Sequence, residues 1–179
     1  GYYPHNVHFV MASALMAGDG ANSIAAADKL HGLVPDAAAL AIPGAQPVKA
    51  APYYAHALFS SPEAILALPD PGNSIPYVKA MWHYARGVAH ATRGDVKAAR
   101  AEAEAVRAIA NGSDFTQMTS AGVPAPDIVR LANRVVDGRV AQAEGDYDNA
   151  AAAFRDAVAI QDGLPYMEPP FWYYPVRQS

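Results

Sequence analysis

Cysteine is absent from all 179 residues, which removes disulfides, thiol nucleophiles and cysteine-ligated zinc together. The absence suits a reducing cytosol, the expected compartment, and a periplasm equally well if a leader peptide has been cleaved. No apolar run reaches about 18 residues, so no membrane-spanning helix is expected. Cationic clusters are also missing: 13 Lys and Arg stand against 17 Asp and Glu, for a net charge of −4. Nucleic-acid binders carry the opposite bias, and an anionic lipid surface would find nothing to attract. Neither nucleic acid nor membrane is an expected partner. GxSxG, HExxH, DxDxDG and GxxxxGK[ST] signatures do not occur. MAGDGAN at 16–22 has the form GxG, but no strand pattern precedes it, so it is not expected to cradle a nucleotide.

What is present is alanine, proline and aromatics. Hydrophobic residues make up 52% and charged residues 17%, enough apolar material for one packed domain or one repeat array. Alanine, the strongest helix former, supplies much of it. The patterns predict helices over 5–17, 21–33, 47–59, 60–68, 75–94, 95–111, 127–145 and 146–162. Asp95 and Asp127 are expected as caps of their helices, a serine as the cap of 60–68, and Pro52 as a kink. Residues 34–46 read as loop or weak helix, and 69–74 and 112–126 as loops.

Three turns share one order, helix–Gly–Asp–helix: LMAGDG at 15–20, ATRGDV at 91–96 and QAEGDY at 142–147. The clearest unit, DGRVAQAEGDYDNAAAAFRDAV at 137–158, resembles a tetratricopeptide repeat (TPR), a helix–turn–helix of about 34 residues. Gly138 takes the close-contact position of the first helix, Gly145 the turn, and Ala150, Phe154 and Ala157 the small–aromatic–small pattern of the second. The unit at 80–111 keeps Gly87, Gly94 and Ala99 but has Ala103 where the aromatic belongs. The first unit keeps Gly18 and Pro35, and a fourth, weaker one at 47–69 turns at Ser60. YYPHNVHF, MWHYARG and EPPFWYYPVR further resemble a group of poorly characterised bacterial TPR proteins. That likeness implies a C-terminal portion of a longer chain.

The fold expected is therefore all-α. Four antiparallel helix pairs, near 4–33, 47–69, 75–111 and 126–162, would stack over residues 1–162 as a TPR-like right-handed superhelix, an α-solenoid. Residues 163–179 would form a proline- and aromatic-rich C-terminal cap. The resemblance implies a concave groove lined by the first helix of each pair, a peptide or protein segment as partner, and no enzymatic activity. Its register puts His5, His8, Tyr54, Tyr84, Arg139 and Gln142 in that groove. An ordinary repeat surface without a ligand is the plainer reading of the same residues.

The histidines support a rival reading. His5 and His8, at i,i+3, share a helical face and can reach one metal ion. Glu168, Asp19 or another histidine would have to supply a third ligand. On that reading the chain is a metal- or small-ligand-binding protein using groove histidines, extending to a hydrolytic or redox enzyme, with a divalent ion such as Zn or Cu. On the main reading no cofactor is needed. His56, His83 and His90 fall at helix-packing positions and are expected to be structural, and His31 complements a helix C-terminus. The segment PYMEPPFWYYPVR at 165–177 has three readings. It caps the last helix pair; or it folds back so that Glu168, Trp172 or Arg177 completes a pocket with His5, His8 and His83; or it is a proline-rich ligand for another protein.

Overall fold

The turns are set locally by the Gly-Asp dipeptides. Gly18, Gly94 and Gly145 adopt φ of +74°, +74° and +77°, a left-handed conformation that L side chains resist and glycine accepts. The aspartate that follows each one caps the next helix. Asp19, Asp95 and Asp146 accept from the backbone N–H of Asn22, Ala98 and Asn149 at 3.1, 3.2 and 3.2 Å. Each dipeptide thus ends one helix and starts its partner.

The computed structural model describes residues 2–179. Among them it has ten α-helices and no strand. They are α1 (Tyr2–Met16), α2 (Gly20–Leu33), α3 (Asp36–Ala41), α4 (Gln46–Phe59), α5 (Pro62–Leu66), α6 (Pro76–Thr92), α7 (Val96–Gly112), α8 (Thr116–Ser120), α9 (Ala125–Glu144) and α10 (Tyr147–Asp162), with 3-10 turns at Pro43–Ala45 and Val176–Gln178. Helices α1 and α2, α6 and α7, and α9 and α10 pack as pairs around the three Gly-Asp turns. Helix α4 packs between α2 and α6, and α9 packs on both α6 and α7. The second helix of the 47–69 unit is only the five-residue α5, which rests mainly on α6.

Local differences from the sequence expectation have physical causes. The alanine-rich stretch DAAALA winds into α3, with Ala39 fully buried. In the 112–126 stretch, α8 is anchored by buried Phe115 and Met118. Helix α9 starts at Ala125 with Pro124 at its N-cap position, so Asp127 is not a cap. It sits inside the first turn, where its carboxylate complements the helix dipole and pairs with Arg130. Helix α4 runs on through Pro52, which is buried along with Lys49–His56 on either side of it. Packing against α2 and α6 holds the turn that proline weakens.

Two glycines govern how closely the helices approach. A Cβ on Gly138 would lie 2.7 Å from Phe154, and one on Gly87 would lie 2.6 Å from Val136. Both are the small positions of the repeat pattern, and Phe154 is the aromatic that fills the wedge. Between α6 and α7, the carboxylate of Glu102 is buried with His83 Nδ1 at 2.6 Å and Arg86 Nε at 2.7 Å. Burial raises its pKa, but the hydrogen bonds from His83 and Arg86 outweigh that and hold it below the usual carboxylate range.

Candidate functional site

Helices α1, α4, α6 and α9 each contribute one aromatic or polar side chain to a common strip, and the C-terminal segment lies along it. Trp172 meets Tyr54 of α4 edge-on at 5.0 Å between centroids and Tyr84 of α6 at 5.2 Å. Tyr173 meets Tyr54 at 5.0 Å and His8 of α1 at 5.6 Å. These are T-shaped, edge-on arrangements, which suit the ring quadrupoles. Phe171, Trp172, Tyr173, Tyr174 and Val176 are all buried. Beneath them Tyr54 and Tyr84 are each 1% exposed.

Hydrogen bonds fix the register of this strap. His8 Nε2 and the Tyr173 hydroxyl are 2.5 Å apart, and the Tyr84 and Tyr174 hydroxyls 3.2 Å. The side-chain amide of Gln161, on α10, donates to the Tyr174 carbonyl at 2.9 Å and accepts from the Val176 N–H at 2.8 Å. One amide thereby reads two backbone groups of an extended chain. Gln142 Nε2 donates to the Ser179 carbonyl oxygen at 3.4 Å. Tyr54 donates to Met81 Sδ at 3.0 Å. Burial pushes the phenols of Tyr54, Tyr84 and Tyr173 well above their ordinary range, so they act as neutral hydroxyls. Burial, with a smaller push from His5, lowers the pKa of His8 to about 4.

Of the six groove residues named from sequence, the structure brings His8, Tyr54, Tyr84 and Gln142 together under the strap. Arg139 is half-buried, with its guanidinium 5.6 Å from the Phe154 ring centroid and Nη1 donating to Gln142 Oε1 at 3.2 Å. His5 is exposed and stacks on Phe9 at 4.7 Å. Among the described residues no group of three His, Cys, Asp or Glu converges on a metal-sized site. Glu168 is exposed and takes its hydrogen bond from Tyr166.

His56, His83 and His90 serve helix packing. His56 joins Ser60 at 2.9 Å to Asp28 at 3.2 Å. His83 belongs to the Glu102 cluster, not to the strap, and His90 approaches Asp95 at 3.5 Å. Arg177 pairs with Asp162.

The strap thus both caps α10 and folds back over the first helices. Gln161 is the functional residue that the sequence analysis missed. A glutamine in the last turn of a helix carries no motif, and only its two backbone partners reveal it. Comparison with protein-family models, with curated proteins and with solved structures found no match for the chain.

Proposed function

We propose that the protein is a TPR-like α-solenoid interaction module. On this reading the face of its first helices binds an extended peptide or protein segment rich in aromatics and proline. In the free chain the strap holds that place. The observation that carries the reading is the binding mode of the strap itself: an extended Pro/aromatic segment seated on three aromatic or imidazole side chains and held through its backbone by Gln161. The glycine-spaced helix pairs support the repeat reading.

Energetics support displacement. Five buried anchors gain roughly 2 kcal/mol each. Fixing the five non-proline residues of 169–176 costs roughly 1–2 kcal/mol each, and more for their side chains. The balance is on the order of a few kcal/mol, so a partner segment of similar chemistry can compete.

The test uses a fluorescent peptide of residues 163–179. It is offered to the full chain and to a variant carrying Trp172→Ala and Tyr173→Ala. Saturable binding to the variant, at least tenfold weaker in the full chain, is the expected result. A variant with native helicity that fails to take up the peptide at millimolar concentration would remove the reading.

A further inference from the structure

A cavity lies beside the strap. Phe9, Ser13 and Met16 on the outer face of α1 and Tyr166, Glu168 and Trp172 of the strap and its stem line a cleft of about 500 Å³. That volume lies within the range of small-molecule sites. Its walls are mostly apolar, and the large apolar side chains around it are left open: Met16 is 71% exposed, Tyr166 85% and Met167 43%. Helix α1 is apolar on its outer side too, where Tyr2, Tyr3 and Val10 are exposed. Exposed apolar surface gathered around one concavity marks a binding site more than scattered residues do.

We propose that this cleft binds a small organic cation with an apolar body, of the aryl- or alkylammonium class. Its lining holds one charged group, Glu168, and no Lys, Arg or His. The Tyr166 hydroxyl donates to that carboxylate and holds it at the rim. The phenol of Tyr166 is raised above its ordinary range, first by this hydrogen bond, as expected beside an ionised carboxylate. Phe9 and Tyr166 supply the accessible aromatic surface, the largely buried Phe171 and Trp172 line it from behind, and Met16 and Met167 supply polarisable sulfur. An ammonium group gains from ring faces and a carboxylate together, and thioethers adapt to the shape of its apolar body. A neutral ligand gains nothing from the charge of Glu168, and an anion would be repelled by it.

The experiment exploits the methionines. There are five; Met16 and Met167 line the cleft, while Met11, Met81 and Met118 are buried elsewhere. The full chain, labelled with ¹³C at the methionine methyls, is titrated with benzyltrimethylammonium and separately with benzyl alcohol. Expected are saturable shifts at Met16 and Met167 only, with the alcohol about ten-fold weaker. Glu168→Gln should erase the difference between the two ligands. Ser13→Trp should fill the cleft and block both. No saturable shift, an equal response to the alcohol, or full selectivity in the Glu168→Gln variant would overturn the proposal. So would shifts at Met16 and Met167 that follow protein concentration without ligand, which would make a second copy of the chain the occupant. None of these outcomes depends on whether the strap can be displaced.

Discussion

A methyl group at Gly87 would overlap Val136 on the next first helix, with Glu102 Cβ only 3.4 Å away. Alanine is intrinsically better than glycine inside a helix by about 1 kcal/mol, but overpacking costs about 1–3 kcal/mol. Because Val136 is short and attached to a packed helix, it cannot swing away, and overpacking wins. Gly87→Ala is expected to destabilise by about 1–2 kcal/mol, read as a lower urea midpoint at unchanged slope. Gly94→Ala makes a useful contrast. It has open space around its Cβ position but φ of +74°, so its cost of about 1–2 kcal/mol is conformational. Both positions were legible in the sequence, since turn chemistry and close helix crossing are local rules.

His8 was legible as a residue facing the right way, but its partner Tyr173 lies 165 positions away, and no local pattern signals such a pair. Its titration has a definite sign. The imidazole has a folded pKa of about 4 against an ordinary 6.5, so the folded state disfavours its protonation. The associated stability is complete above pH 6.5 and is lost as the pH falls from 6.5 to 4, by an amount on the order of 3 kcal/mol. Burial makes the protonated imidazole costly at its contact with Tyr173, which favours its exit to solvent. Trp fluorescence is therefore expected to report strap release within that window. His8→Gln, which keeps hydrogen-bonding capacity but cannot titrate, should flatten the profile. An unchanged profile in the variant would assign the transition to another group.

At the scale of elements, the strap behaves as a short extended chain docked on helices. Gln161 is its main polar fastening. Gln161→Ala removes both the donor to the Tyr174 carbonyl and the acceptor for the Val176 N–H. Leaving two half-buried backbone groups unpaired should cost about 1–3 kcal/mol. Hydrogen exchange at the Val176 amide is expected to speed up accordingly, while amides of α9 and α10 keep their protection. The existence of most helices was legible because their apolar periodicity and caps agree. Helix α8 was not, and α3 only as a stretch of loop or weak helix, both being too short for periodicity to register and stabilised by a few buried side chains. The strap was legible as a terminal cover from its prolines and aromatics. A fold-back toward His8 was one of its three readings, but its path across α4, α6 and α9 was not legible, because a chain without periodicity names no face to pack on.

At the scale of the whole molecule, helix pairs that touch mainly their neighbours would unfold by nearest-neighbour steps. The strap changes this by fastening α1 to the far end of the chain, through His8–Tyr173 at one end and Gln161 and Gln142 at the other. Unfolding is then expected to be a single cooperative transition. Trp172→Ala with Tyr173→Ala should broaden it and lower the apparent denaturant slope, because the first pair melts separately. Coincident transitions by circular dichroism and by exchange at α1 amides in that variant would argue against such fastening. The buried Glu102 and its half-buried partners Arg86, His83 and His90 between α6 and α7 hold the middle of the molecule and do not depend on the strap.

The strap also has a consequence in time. A ribosome extends a chain at about 5–20 residues per second and folding begins at the N-terminus. Tyr84 precedes its partner Tyr174 by 90 residues and His8 precedes Tyr173 by 165. During synthesis the aromatic strip on α1, α4 and α6 is therefore complete roughly 5–20 seconds before the segment that covers it emerges. On the proposed interaction reading, a partner present at the ribosome would meet that strip without competition, whereas one arriving later would first have to evict the strap. The order in which the chain is made would then give a co-translational partner an advantage that equilibrium affinity would not predict.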